Sequence, residues 1–456
     1  MKRISLCESW VFWEKEKSED SLVQESGEEC GKRREQVTLP HDAMQGQGRA
    51  ADAPSGSGEA FFLGGSYVYE RRLWAPKAWE NEEVLLEFEG VYPNAAVYVN
   101  GERAGGCRYG YSLFRVPLEH LRWGADNEIR VEVDGSRLPN SRWYPGAGIY
   151  RPVWLLTGSR KAHIEPDGIR VTTLSCGAVE SRSETQAEIL IEVSHTGCQS
   201  RGSAQPSVRV LAEIYEWGQE RKVTEAEGEQ IHLVIPEARL WDENSPALYE
   251  CRVSLWDGEK LLDTQSERFG IRRIGWSPQG LTVNGRTVKL RGGCLHHDNG
   301  ILGARSFAES EYRRIRRLKE WGFNAIRSAH NPACRALLEA CDELGVYVMD
   351  EAWDVWDKSK TAEDYAGEFP AHYEEDLASM AAKDYNHPSV ILYSIGNEMT
   401  EPAQPEGVVL AEQIIRKLKA CDGTRPVTAG VNLTLLLMAK MGVGIPSAEQ
   451  PESPAA

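Results

Sequence analysis

The sequence predicts a multidomain protein: an N-terminal jelly-roll β-sandwich, an immunoglobulin-like β-sandwich, and then a partial (β/α)8 TIM barrel. Two observations carry this. Up to Gly275 the chain is built of short β-branched and aromatic runs separated by Gly, Pro and Asn turns. After Gly275 apolar strands alternate with amphipathic helices, the signature of parallel βαβ units. A length of 456 residues is too great for one ordinary domain and agrees with several.

The first domain is placed at residues 1–158. Val84–Glu89 and Ala96–Val99 are strand-like runs, Asn100-Gly101 is a strong hairpin signal, and Glu128–Val133 alternates polar and apolar as a half-buried strand does. The second domain, 159–275, continues in β with strands at 189–193 and 208–214. The polar Gly/Ser-rich stretch from Ser194 to Gln205 reads as a loop, and this spacing fits an immunoglobulin-like sandwich.

The third domain, 276–456, is read as the N-terminal part of a barrel. Strands are expected at Val288–Leu290, Asn324–Arg327, Val346–Met349, Val390–Ile395 and Arg425–Ala429. Helices are expected at Glu309–Trp321, Ala333–Leu344, Tyr373–Tyr385 and Val408–Ala420, the first two stopped by Gly322 and Gly345. A complete barrel takes about 250 residues. Four βα units and a fifth strand are legible here, and Gly442–Ala456 is Pro/Ser/Ala-rich without period, so the barrel is expected to be incomplete.

Composition narrows the partners. The net charge is −17, from 52 Lys and Arg against 69 Asp and Glu, which disfavours nucleic acid and anionic membranes as partners; it suits a neutral or small ligand, and solubility alone is the preferred reading of it. The N-terminus is cut by Glu8, Glu14 and Lys15, too charged for a signal h-region, and no stretch approaches a membrane span. The ten cysteines, Cys30 and Cys198 among them, are scattered without CxxC spacing. Neither a disulfide framework nor a zinc site is indicated, and a cytoplasmic location is expected. The 14 Trp and 16 Tyr suit sugar faces and sandwich cores alike.

Polar clusters fall just after the barrel strands: His296-His297-Asp298, His330-Asn331, Asp350-Glu351 and Asn397-Glu398. In a (β/α)8 barrel this is the face where active sites are built. Glu398, at the end of a buried strand and preceded by an amide, is placed for general acid work. Apolar walls such as Trp353 or Trp356 would keep it protonated, although an acid opening a helix would read the same way. A metal site made of His296, His297 and Asp298 is disfavoured, because consecutive strand residues point to opposite faces.

The context of these residues resembles glycoside hydrolase family 2, which holds β-galactosidases, β-glucuronidases and β-mannosidases. Asp384–Glu398 is similar to that family's acid/base signature. Arg291–Asp298, Gly322–Pro332 and Leu344–Ala352 are similar to its first three barrel strands. Leu39-Pro40-His41-Asp42 and Arg142–Arg151 are similar to motifs of its N-terminal sugar-binding domain.

The resemblance implies a retaining β-glycosidase with Glu398 as acid/base and with His296, His330 and Asn397 contacting the sugar. Asp350 and Trp353 are read as further substrate-side residues of the strand-3 motif. Trp353 stands where some members place a His after a magnesium ligand, so no metal or cofactor is expected, while His297, Asp298, His41 and Asp42 are read as structural. The stretch Asp350–Trp356 is similar to β-galactosidase-like branches, which ranks β-galactosides ahead of β-glucuronides and β-mannosides. A carbohydrate substrate is the expected partner, with room for a homo-oligomer.

Retention requires a second carboxylate about 5–5.5 Å from the first. In the resembling family it follows the seventh strand. The candidates in hand, Asp350, Glu351, Glu401, Glu406, Glu412, Glu449 and Glu452, do not close such a strand. The nucleophile is therefore expected beyond Ala456. The chain itself is expected to be a fragment or truncated product of such an enzyme, or a binding remnant that holds a glycan without cleaving it.

Overall fold

The computed structural model describes residues 1–15, 34–178, 185–197 and 208–442. The expected loop after Ser194 lies outside these beyond Gly197. So do Cys30, Cys198, Glu449, Glu452 and the Pro/Ser/Ala-rich stretch past Gly442.

A first β-sandwich packs two antiparallel sheets face to face. One has six strands, in the order Glu35–Val37, Trp10–Glu14, Gly65–Ala75, Ala125–Gly135, Ala95–Val99, Glu102–Cys107. The other has four, in the order Lys2–Ser5, Val153–Ser159, Glu82–Phe88, Phe114–Pro117. Alternation in the sequence becomes alternation in burial: Ile129, Val131 and Val133 point into the shared core with Trp10, Tyr69, Leu86 and Phe88.

A second sandwich pairs Ile164–Ala178, Thr185–His195 and Gln230–Ile235 against Lys222–Glu227, Arg209–Glu216, Tyr249–Asp257 and Lys260–Phe269. Ala187, Ile189, Ile191 and Val193 form one inward row, closed from the other side by Val210, Ala212, Ile214 and Val253.

A short hairpin sheet of Ile274–Ser277, Gly280–Val283 and Arg286–Thr287 follows. Val288–Leu290, expected as a strand, does not form one, while the first barrel strand, Gly292–Leu295, falls within Arg291–Asp298, where the resemblance places it. Val288 only extends the hairpin, through its N–H to the Leu281 carbonyl. The Asn324 side chain then occupies the Lys289 carbonyl and the Arg291 N–H, so the ladder begins at Gly292.

Five parallel strands lie in chain order: Gly292–Leu295, Ala325–Ser328, Tyr347–Glu351, Val390–Asn397 and Val427–Gly430. The helices are Ala308–Glu320, Arg335–Leu344, Phe369–Asp384, Pro405–Cys421 and Leu433–Lys440. Two of them start a few residues earlier than the apolar period suggests, because Pro370 and Pro405 sit in their first turns, where a missing N–H costs nothing. Gly345 ends the second helix in the left-handed conformation (φ 69°), and a Cβ there would meet the Glu243 backbone at 2.8 Å.

The barrel and the first sandwich share a core. Tyr92, Tyr109, Tyr111 and Tyr150 of the sandwich pack in one cluster with Leu337, Trp353, Leu377 and Tyr393. Arg151, buried, adds polar stitching, donating to the carbonyls of Glu89, Tyr111 and Pro332. The sandwich is thus held against the strand ends, where its loops can take part in a site.

Candidate active site

Glu398 directly follows the strand Val390–Asn397 and has a left-handed backbone (φ 51°), a conformation that a non-glycine residue holds only at a cost. Two contacts from the next strand-helix connection hold it there. Its N–H donates to the Gly430 carbonyl (2.6 Å), and Asn432 Nδ2 donates to its Oε1 (3.0 Å). Asn432 does double duty, since its Oδ1 caps the helix Leu433–Lys440. Among the described residues no group is bonded to Glu398 Oε2, which leaves that half-buried oxygen free to carry a proton.

Asn397, on the other face of the strand end, is gripped at both ends of its amide. Nδ2 donates to Asp354 Oδ1 (2.8 Å), and Oδ1 accepts from Arg327 Nη2 (2.9 Å). Asp354 is itself held by Arg142, which donates to both its oxygens at 2.9 and 2.6 Å, and by Lys360 (3.2 Å). Burial alone would raise the Asp354 carboxyl. The Arg142 hydrogen bond and the Lys360 charge outweigh it and bring it down to about 2. Arg142 and Lys360 also feel the charge of Glu398, so the two cations and the acid share one electrostatic neighbourhood.

On the opposite side of Asn397, Arg327 forms an ion pair of 2.6 Å with Glu351, whose side chain is fully buried. Glu351 also accepts from Ser394 Oγ (2.6 Å) and from His330 Nδ1 (2.7 Å). A carboxylate at Nδ1 places a ring proton there, and His330 Nε2 has no bonded partner among the described residues. His296 crosses His330 edge-on at 5.2 Å, and Trp143 of the first sandwich packs on both rings at 5.1 and 5.5 Å. Burial, and next the neighbouring His330, lowers the His296 pKa below its ordinary value, so this ring is neutral at neutral pH.

Trp143 reaches the barrel because the turn behind it can fold tightly. Gly146 and Gly148 have φ of 67° and 91°, and a side chain at either would collide with Ala304 or Tyr69. Asp42 fixes the same turn, accepting from Tyr144, Ala147 and Ala304. His41 bonds to Tyr69, and burial takes it down to about 4. His297 points away from His296, with Nε2 bonded to the Pro145 carbonyl and its ring against Tyr111 and Tyr150. All three play structural parts.

Glu398, His296, His330 and Asn397 therefore meet at one mouth, while Asp350 and Trp353 do not join them. Alternation along Tyr347–Glu351 sends Val348 and Asp350 outward to the helix layer and Glu351 inward. Asp350 accepts from Ala333 N–H and faces Lys383 at 3.5 Å. Trp353 is fully buried, bonded to Asp376 and crossed by Phe369. Trp356 is bonded to the Ile395 carbonyl in the same core, so neither ring offers a face to a sugar. The place expected for Asp350 belongs to Glu351. A magnesium ion does not fit this strand end, since Asp350 is matched by Lys383, Glu351 by Arg327, and Trp353 supplies no ligand.

None of the candidate nucleophiles that the structure describes is placed to act. Asp350 and Glu351 are committed as above, and Glu401 is buried, accepting from the Lys358 N–H. Glu406 and Glu412 are exposed on the helix Pro405–Cys421. The sequence reading missed Arg142, Trp143, Arg327, Asp354, Lys360 and Asn432 as parts of the site. The available signal was the demand of a buried Asn397 amide for partners at both ends.

Comparison with known proteins places these features in a wider group. The model "Glycosyl hydrolases family 2" matches residues 170–272, and "Glycosyl hydrolases family 2, TIM barrel domain" matches 277–442. The chain is 36% identical over 435 residues to a protein named Beta-galactosidase BoGH2A from Bacteroides ovatus, covering 87% of this chain and 50% of the relative. It is 26% identical over 410 residues to a Bacteroides fragilis beta-glucuronidase, covering 85% and 59%. A solved family 2 member from Bacteroides cellulosilyticus superposes with a TM-score of 0.85 at 33% identity, covering 97% of this chain and 58% of that one. The chain spans about half the length of the curated relatives it matches.

Proposed function

This chain belongs to glycoside hydrolase family 2, and from that premise we propose that it forms the acid/base side of a retaining β-glycosidase acting on terminal β-linked sugars, β-galactosides first. The observation that carries the reading is Glu398: a carboxyl at a barrel strand end with one oxygen fixed by Asn432 and the other unbonded among the described residues.

In the first step a second carboxylate attacks the anomeric carbon. The bond to the leaving oxygen breaks, and Glu398 gives that oxygen its proton. In the second step Glu398 takes a proton from water, whose oxygen attacks the anomeric carbon and breaks the bond to the enzyme, which returns Glu398 to its acid form and the nucleophile to its carboxylate. The described residues do not supply the second carboxylate, and on this reading it comes from the remainder of the barrel. Neutral His296 and the free Nε2 of His330 serve as sugar contacts, with Trp143 setting both rings.

The first sandwich, 1–158, is taken as a jelly-roll of the sugar-binding kind, supported by its two facing antiparallel sheets. The second, 159–275, is taken as immunoglobulin-like, supported by its three-on-four strand arrangement, and 276–456 as the barrel portion. Free thiols at all eight described cysteines support a reducing, cytoplasmic setting.

The substrate ranking is tested by hydrolysis of nitrophenyl β-galactoside against nitrophenyl β-glucuronide by the enzyme that carries this chain. A higher kcat/KM for the galactoside supports the order proposed, and the reverse moves the assignment to a glucuronidase. A second reading, glycan binding without cleavage, is favoured by the engagement of Glu351 and Asp354 in ion pairs. It requires binding of both sugars with turnover of neither.

A further inference from the structure

At the opposite end of the barrel from Glu398, the second sandwich meets the turns that precede the fourth and fifth strands. A cavity of about 250 Å³ lies there, lined by Thr172 of the sandwich, Arg272 and Arg273 of the linker, His387 before the fourth strand, and Thr424 and Arg425 before the fifth. Among the described residues its wall holds three guanidiniums and no carboxylate. In a chain of net charge −17 that is an unusual concentration of positive charge.

The acids behind the wall are already committed. Asp422 is taken by Arg425, Thr424 and Tyr393, and Asp342 by His387 and Ser389. Arg425 is saturated by the carbonyls of Asp384, Tyr385, His387 and Val390. Arg272 is less so. It donates to the carbonyls of Pro388 and Val390 through Nε and Nη2, and nothing among the described residues bonds to its Nη1. The Arg273 guanidinium has no bonded partner among the described residues, although its backbone N–H is held by Asn284. Burial, with the Arg425 charge next, brings Arg272 down to about 9, the behaviour of a cation whose charge is not fully answered.

We propose that this cavity is a binding site for a phosphate- or sulfate-type oxyanion, gripped by Arg272 Nη1 and the Arg273 guanidinium, with the Thr172 hydroxyl beside them. Guanidiniums match the geometry of tetrahedral oxyanions through paired N–H groups, and the bonds are charge-assisted. The site is separate from the mouth that holds Glu398, so it stands whether or not the catalytic reading does.

The test is calorimetric titration of this chain with sodium phosphate and with sodium sulfate, against sodium chloride at matched ionic strength. Saturable binding is expected for both oxyanions and not for chloride. Arg273→Gln is exposed at its side chain and disturbs no internal bond, and it is expected to weaken binding about tenfold, the worth of one charge-assisted hydrogen bond. Arg273→Lys, which keeps the charge, is expected to recover part of that loss. Galactose 6-sulfate and glucose 6-phosphate distinguish the source: tighter binding than the inorganic ion identifies a sugar ester as the ligand, and equal binding identifies the free ion. No heat beyond the chloride control, or equal affinity in Arg273→Gln with an unchanged circular dichroism spectrum, would overturn the proposal.

Discussion

Arg142 of the first sandwich donates two hydrogen bonds, at 2.9 and 2.6 Å, to Asp354 of the barrel, a residue 212 positions further along the chain. Asp354 passes that grip to Asn397, the neighbour of Glu398. The first sandwich is therefore part of the site, and its loop sets the orientation of an amide at the reacting end of the barrel.

Replacing Arg142 by Ala should separate function from stability. The pair is partly exposed, so stability should change by about 1 kcal/mol or less. Asn397 would lose its fixed orientation, and kcat should fall more than KM rises, by about tenfold or more in kcat/KM. Steady-state kinetics with a melting curve on the same preparation measures both, and a stability loss without a kinetic one would contradict the positioning role.

Glu351 is buried and answers Arg327, His330 and Ser394 together. Glu351→Ala strands a guanidinium that is 22% exposed, and the cost should be about 3 kcal/mol, the low end for breaking a buried pair. Urea denaturation measures it.

Glu59 gives a pH-dependent prediction. It is buried, one oxygen accepts from the Asn140 and Ser141 N–H groups, and the other has no partner among the described residues. Burial raises it from 4.5 to about 7 against those hydrogen bonds. A raised carboxyl favours the protonated folded state, so its contribution is full below the ordinary value and is lost as pH rises through about 7. Glu59→Gln should leave stability near pH 4 little changed and raise it at pH 8 by about 3 kcal/mol relative to the parent. The parallel is checked by urea denaturation across pH, and identical profiles for the two proteins would remove Glu59 as the cause.

Asn432→Ala removes both the cap of the helix Leu433–Lys440 and the donor to Glu398. The helix start should lose about 1 kcal/mol, seen as faster hydrogen exchange at Leu435. Turnover should fall in step, because the left-handed Glu398 loses one of its two restraints.

The strands were legible wherever one face is buried. The rows Ile129-Val131-Val133 and Ala187-Ile189-Ile191-Val193 alternate in sequence as they do in the sandwiches. The placement of Glu398, His296, His330 and Asn397 at the strand ends was legible because strand ends of a parallel barrel gather on one face. Asp350 and Glu351 are not told apart by composition, because the register of a five-residue strand decides which of two adjacent acids faces inward. The sequence leaves Trp353 open because an indole suits either a sugar face or a core, and here Asp376 and Phe369 claim it for the core. The Arg142–Asp354 bridge was hidden for a different reason: it depends on how two domains dock, which no local pattern encodes.

The most direct test of the central claim, that Glu398 moves the proton, compares leaving groups. Glu398→Gln should be measured in the full enzyme with lactose, whose leaving group needs a proton, and with a dinitrophenyl β-galactoside, whose leaving group does not. The account predicts a loss of about 100-fold or more for lactose and a much smaller loss in cleavage of the activated substrate, since proton donation matters only for the first. Equal losses on the two substrates, or none on either, would contradict it.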